Sequence, residues 1–411
     1  MGNPSSKTNL NNMKRVVIKI GSALLIDERT GKIRSDWLTC IAEDVSQLKK
    51  QGKEVILVSS GSIALGRKIL GLKMSKKLVE NQAAAAIGQI ELAATFREKL
   101  NEYDVPAAQI LLTYSNTEDR GQYLNVRGTI NRLLKLGVVP VINENDTVAT
   151  DEVKYGDNDR LAARVAVMAE ADLLYLLSDI DGLYSSDPKS NSQAKFIEHV
   201  EKITPEIEDM AGEPVSTGFG SGGMITKIAA AIIATKSGCN MVILNGKLNN
   251  PIQEYTTTWR GTWFEASTTP LASKKKWIAG ALSPAGTLTI DDGATKALKS
   301  GKSLLPAGVT EISGNFHRGD TVSISDRKGY EIAKGLVAYT SEDAKKIIGV
   351  KSHEIENVLG YDGREELVHR SDMVMSEGSR KKMDKENDIK ILMQRIGDNA
   401  KRASKVLALS S

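Results

Sequence analysis

A chain of 411 residues with 41% hydrophobic and 26% charged side chains has the balance of a soluble globular protein and is too long for one core of ordinary size, so two domains are expected. Its longest apolar runs, LLYLL and VILVSS, are strand-sized, far short of the roughly 18 to 20 residues that cross a bilayer, which excludes a membrane span. The formal net charge of +4 is concentrated at the end: residues 272–378 carry 15 Lys and Arg against 15 Asp and Glu, whereas residues 379–411 carry 9 against 4.

Residues 1–13, MGNPSSKTNLNNM, are polar and lack the apolar stretch of a signal peptide, so they read as a disordered leader, with Gly2 and Ser6 a loose fit to a myristoylation pattern. KRVVIKI, from Lys14 to Ile20, is a short β-branched strand. SDWLTCIAEDVSQLKKQG follows as an amphipathic helix, with Ser35 as its cap, Leu38, Ile41, Val45 and Leu48 on one side and Gly52 as terminator. EVILVSS, AAQILL, VVPVIN, DLLYLLS and MVILN come next, each apolar on both faces and separated by helices such as Gln82 to Leu100 and Gly121 to Leu136. Such strands joined by helical crossovers predict an α/β domain over residues 14–271, a mainly parallel sheet covered by helices on both faces.

After about Leu271 the texture changes. GTLTI, GDTVSIS and EIAKGLVAYT, with frequent turn signals, predict a small, mostly β module over residues 277–375, divided from the first domain near Ser267 to Lys276. Residues 376–411 read as a linker, SEGSRKKMDKEND, followed by an amphipathic helical tail from Asp388 to Leu409. Cys40 and Cys239 lie on separate predicted elements, which argues against a disulfide framework and for a reducing, cytoplasmic setting. The four histidines are scattered without ligand spacing, so no His-based metal site is expected.

In an open α/β sheet ligands gather beyond the carboxyl ends of the strands, and here those ends are polar or glycine-rich. Lys19 precedes Gly21, where a missing side chain admits backbone N–H groups to phosphate oxygens while the lysine supplies charge; a tight turn with a snorkelling lysine fits the same residues. Ser60-Gly61-Ser62 opens a helix whose N-terminus can hold an anionic group. TGFGSGGMITK carries Thr217, Gly218, Gly220, Gly222, Gly223 and Met224 ahead of Lys227, like a phosphate loop but without the Walker spacing. Two carboxylate–amide clusters, Asn143-Glu144-Asn145-Asp146 and Asp157-Asn158-Asp159, suit a zwitterionic ligand, Asp pairing with an ammonium and Asn amides donating to carboxylate oxygens; a solvated loop with Asx-turns fits them too.

KIGSALL, VSSGSIALG, LNVRGTINRLL, VPVINENDTVAT, KYGDNDRLAA, LLSDIDGLYSSDP and GSGGMITK, in this order over about Lys14 to Leu271, resemble the glutamate 5-kinase branch of the amino-acid kinase family. SLLPAGVTEISGNFHRGD and VLGYDGREELVHRSDMV resemble the PUA domain attached to many bacterial members. The resemblance implies phosphoryl transfer from ATP, with Mg²⁺, to the side-chain carboxylate of glutamate, the first step towards proline. It implies that Lys19 and Lys227 neutralise the transferring group, that Asp159 holds those lysines, and that Ser60, Gly61, Asn143, Asp146 and Asn158 bind glutamate. The nucleotide would meet Lys19, Gly21, Ser178, Asp179 and the loop Thr217 to Lys227. Proline as feedback inhibitor and a homo-oligomeric state are expected on the same ground. The alternatives are another amino-acid kinase, acting on acetylglutamate, aspartate, carbamate or a nucleoside monophosphate, and a PUA-type RNA-binding protein. Against the latter, the β-rich module has no net positive charge, so nucleic acid is not expected as a partner. Finally, DIKILMQRIGDNAKRASKVLALSS resembles the start of γ-glutamyl phosphate reductase, which implies functional coupling to that enzyme.

Overall fold

The computed structural model describes residues 10–27, 29–73, 77–148, 158–212, 223–280 and 283–381. Contacts divide the chain into two units at Lys274 and Lys275, and the helix Pro270–Ala279 runs across that point. The first unit holds strands β1 (Arg15–Ile20), β2 (Glu54–Val58), β3 (Ala107–Leu112), β4 (Val139–Glu144), β5 (Leu173–Ser178), β6 (His199–Val200), β7 (Asn240–Asn245) and β8 (Thr262–Phe264). They form one sheet in the order β3-β4-β2-β1-β5-β7-β8-β6, parallel throughout except where β7 meets β8. Among the described residues, the connecting helices of eight or more residues are α1 (Ser35–Lys50), α2 (Ser62–Leu70), α3 (Leu78–Asn101), α4 (Arg120–Lys135), α5 (Asn158–Met168), α6 (Met224–Lys236) and α7 (Pro251–Thr258).

Both faces of the sheet are covered. Because side chains alternate along a strand, Val16, Ile18 and Ile20 of β1 enter a core with Leu38 and Val45 of α1 and Phe96 of α3. Val17 enters the opposite core, with Leu161 of α5 and Ile228 of α6. The same parity sends Lys19 towards α5 and α6. In β4, Val139 and Val141 belong to the first core and Ile142 to the second, so Asn143 is turned towards the α2 and α3 side.

Four expectations need correction. AAQILL is not buried on both faces: β3 is the sheet's edge, where only Leu112 is fully buried and Gln109 is exposed. Ser35 is the first residue of α1 rather than its cap; Arg34 takes the cap position and no side chain bonds there. Residues 10–13 are not a loose leader, since Leu10 and Met13 are buried and Lys53 Nζ donates to both their carbonyls, at 2.7 and 2.8 Å. Nor does the linker begin at Ser376, because the strand there continues to Lys381, paired with Tyr330.

Helices α2 and α3 approach until their backbones touch. A Cβ on Gly66 would lie 1.7 Å from the Ala84 carbonyl oxygen, and one on Gly88 would lie 1.9 Å from that of Ser62. Neither neighbour is a side chain that could swing away. Gly88→Ala is therefore expected to cost about 1–3 kcal/mol, the usual penalty of overpacking, read as a lowered denaturation midpoint in urea; an unchanged midpoint would contradict the close approach.

The second unit is a five-stranded sheet of β9 (Gly286–Ile290), β10 (Val309–Gly314), β11 (Thr321–Asp326), β12 (Tyr330–Leu336) and β13 (Met373–Lys381), ordered β10-β9-β11-β12-β13. All its pairs are antiparallel except β9 with β11. Leu288, Ile290, Phe316, Ile324, Val337 and Val368 form its own core. Among the described residues no helix is long and apolar enough to cross a membrane. The segment from Asp388 to Leu409, expected as a helical tail and resembling the start of a reductase, lies outside the described residues.

Candidate active site

The carboxyl ends of β4, β2, β1 and β5 are neighbours in the sheet, so the residues that follow them meet at one edge. Lys19, on the α5 and α6 side of β1, places Nζ 2.6 Å from Oδ1 of Asp159 in the first turn of α5. Lys227, one turn into α6, places Nζ 3.1 Å from Oδ2 of the same carboxylate. Thr226 Oγ1 lies 2.8 Å from Asp159 Oδ2 and 2.9 Å from the Gly223 carbonyl oxygen, and its single hydrogen serves one of them at a time. All four side chains are buried. Burial would raise the Asp159 pKa, but the two ammonium groups outweigh it and hold the carboxyl well below the usual range. Two cations on one anion leave one positive charge in excess.

Gly21 adjoins this cluster: a Cβ there would stand in van der Waals contact with Lys19 Nζ, at 3.4 Å. Gly61, at φ +104°, makes the left-handed turn into α2 and would bring a side chain to 3.0 Å from Ile26 Cδ1. Ser60 Oγ donates to the Ile20 carbonyl at 3.0 Å, tying the end of β2 to that of β1.

A second polar cluster lies on the α2 and α3 side. Ser62 Oγ donates to Asp146 Oδ2 at 2.8 Å. Asn158 Nδ2 donates to the Ser59 carbonyl at 2.5 Å and to Asn143 Oδ1 at 2.9 Å, and Asn143 Nδ2 donates to Gln89 Oε1 at 2.7 Å. Asp146 is 6% exposed and meets no cation in the described structure. Burial pushes its pKa up from 3.8 to about 6, a rise that the Ser62 hydroxyl only moderates. At the end of β5, Ser178 is buried, its carbonyl accepts from Gly246 N at 2.7 Å, and the exposed Asp179 lies 3.4 Å from its hydroxyl.

Residues 14–245 match the amino acid kinase family and residues 286–359 match the PUA domain. The chain belongs to the amino acid kinase family. A glutamate 5-kinase of Agrobacterium fabrum is 56% identical over 363 residues, covering 88% of this chain and 93% of the relative. That of Rhizobium leguminosarum bv. trifolii is 56% identical over 373 residues, covering 90% and 95%. Among solved structures, UMP kinase from Ureaplasma parvum is 18% identical with a TM-score of 0.44, covering 62% of this chain and 99% of that one.

In this amino acid kinase the described structure joins Lys19, Asp159 and Lys227 in one ion-paired cluster and Asn143, Asp146 and Asn158 in a second polar network. Ser178 and Asp179 stand at the neighbouring strand end without a hydrogen bond to either. Gly223 caps α6 and Met224 begins it, packed against the second core. Thr217, Gly218, Gly220 and Gly222, like Asp157, lie outside the described residues. Sequence reasoning missed Gln89, and it named Ser62 and Thr226 only as members of the turn Ser60-Gly61-Ser62 and the loop Thr217 to Lys227, with no role of their own. Ser62 and Thr226 each adjoin a residue that was singled out, so neighbourhood was a usable signal; Gln89, in the helix QAAAAIGQ, gave none.

Proposed function

We propose that the chain is a glutamate 5-kinase, which moves the γ-phosphoryl group of ATP onto the γ-carboxylate of L-glutamate, giving γ-glutamyl 5-phosphate and ADP as the first step of proline biosynthesis. The observation that carries the reading is the buried pair of ammonium groups on Asp159, with one positive charge in excess, next to Gly21 at the end of β1. Such a charge stabilises a phosphoryl group in flight without changing its own position. Asp146, a buried carboxylate with no cation, suits the α-ammonium of an amino acid.

Glutamate's side chain, with an ordinary pKa near about 4.3, is already ionised at neutral pH, so the transfer needs no general base. A carboxylate oxygen forms the new bond to Pγ as the bond from Pγ to the β-γ bridging oxygen breaks, and ADP leaves with that electron pair. Lys19 and Lys227 neutralise the equatorial oxygens, while Asp159 fixes both lysines; Ser178, Asp179 and the loop Thr217 to Lys227 hold the nucleotide. ATP-dependent kinases take their nucleotide with a divalent metal, here Mg²⁺, which neutralises phosphate charge when bound.

Steady-state assays with glutamate and ATP, set against aspartate, acetylglutamate and UMP as acceptors, test the assignment; turnover of another acceptor in preference to glutamate would overturn it. Every residue assigned to the chemistry precedes Leu271, and the first unit has its own cores. A chain lacking residues 277–374 is therefore expected to keep measurable kinase activity, and a folded but inert truncation would contradict this. Self-association belongs to the same reading. It is supported by α3, whose Val79, Ala83, Ala86 and Ile90 lie exposed at intervals of three and four residues. Functional coupling to γ-glutamyl phosphate reductase belongs to the same reading, supported by the resemblance of DIKILMQRIGDNAKRASKVLALSS to the start of that enzyme.

A further inference from the structure

We infer that Gln89 supplies the amide N–H group that holds the α-carboxylate of the substrate, an inference that rests on the reading of this site as a glutamate site. The argument starts from an acceptor whose direction is not in question. The Ser59 carbonyl can only accept, so the atom of Asn158 that lies 2.5 Å from it is the amide nitrogen. That same nitrogen lies 2.9 Å from Asn143, which must therefore present its oxygen. The nitrogen of Asn143 then points the other way, to Gln89 at 2.7 Å and, weakly, to Ser62 Oγ at 3.5 Å, and Gln89 must present its oxygen in turn. Reversing any one amide would set N–H against N–H or oxygen against oxygen, and reversing all three would turn an oxygen towards the Ser59 carbonyl.

This relay has a chemical consequence. The amide hydrogens of Asn158 and Asn143 are committed inside the protein, although their pattern in the sequence suggested donors for a ligand. The hydrogen bond described for the Gln89 side chain uses Oε1, which leaves Nε2 as the donor at the end of the chain. Gln89 is half-buried on α3, and its relay partner Asn143 adjoins the Ser62 hydroxyl that bonds Asp146. An amino acid whose reacting carboxylate points to Lys19 and Lys227 and whose ammonium meets Asp146 carries its α-carboxylate on the same carbon as that ammonium. Among the described residues, Gln89 Nε2 is then the amide donor of the relay left for it.

The test uses the full chain and two variants. Gln89→Glu keeps an oxygen for Asn143 but replaces the donor with a second carboxylate oxygen; Gln89→Met keeps length and removes both polar atoms. Glutamate KM is expected to rise at least about 10-fold in each, the low end for a lost hydrogen bond to a charged group, and further in Gln89→Glu, with ATP KM unchanged as the control for folding. Preference for glutamate over γ-aminobutyrate, which lacks the α-carboxylate, should narrow in both variants by the same factor. A preference left at its wild-type value while KM and kcat drift together would reduce Gln89 to a prop for Asn143 and overturn the inference. Wild-type protein inert towards glutamate would overturn the reading of the site and this inference with it, whereas active wild type with an unaltered Gln89→Glu variant would overturn this inference alone.

Discussion

Lys227→Ala is expected to lower kcat at least about 100-fold with the fold intact, and Lys19→Ala to do the same. Each lysine is buried against Asp159, so its loss removes a cation that was held in place before substrate arrived. The remaining lysine still pairs with Asp159, which is why the protein should tolerate either loss: the cluster goes from one positive charge in excess to neutral, not to a bare buried anion. Removing Asp159 is a different experiment. Asp159→Ala leaves two buried ammonium groups without their counter-charge, and breaking a buried pair in this way typically costs about 3–5 kcal/mol. Stopped-turnover assays on the lysine variants, with unfolding curves on all three, separate the two effects. Near-normal kcat in both lysine variants would remove them from the chemistry.

Asp146→Asn is expected to raise glutamate KM at least about 30-fold, the lower range for truncating one partner of a buried, hydrogen-bonded charge pair. In wild type the same carboxyl should give the binding a pH limb. Its pKa is raised by burial to about 6, so at pH 7 it is ionised and ready for an ammonium; as pH falls through about 6 it gains a proton, and glutamate KM should climb by up to about tenfold per pH unit. For stability the sign runs the other way. A carboxyl with a raised folded-state pKa contributes stability below its ordinary value near 3.8, and that contribution is lost as pH rises through about 6. Glutamate, by pairing with the ionised form, should therefore protect against heat more strongly above pH 6 than below it. Proline shares the α-amino and α-carboxylate groups, so Asp146→Asn and changes at Asn143 should weaken proline inhibition together with glutamate binding. Proline inhibition that survives unchanged would require a separate site.

The strands and most helices were legible because their information is local: period and branching place β1, and parity along it sends Lys19 to the Asp159 side. The roles proposed for the residues rest on whole motifs. Nothing in Lys19-Ile-Gly21 by itself separates a phosphate contact from a tight turn. What escaped was set by neighbours distant in the chain. Ser62 and Asp146 are 84 positions apart, and Asn143 and Gln89 are 54 apart, so no periodicity links them. Amide direction was also hidden, because it depends on the Ser59 carbonyl and not on the identity of any asparagine. Edge exposure of β3 follows from strand order, which composition does not encode.

The contact between α2 and α3 also bears on how this gene can vary. Every base change in a glycine codon that yields another amino acid adds a Cβ, and at Gly66 and Gly88 that atom meets main chain, not a side chain that could be co-mutated to make room. Compensation by a second substitution across the hairpin is therefore closed off. Because the Gly88 side of the contact is the Ser62 carbonyl, and Ser62 carries the hydroxyl on Asp146, missense changes at this codon are expected to lower glutamate affinity, if Asp146 binds it as proposed, as well as protein level. Drift in the lineage is thus expected to be confined at these two codons to synonymous positions.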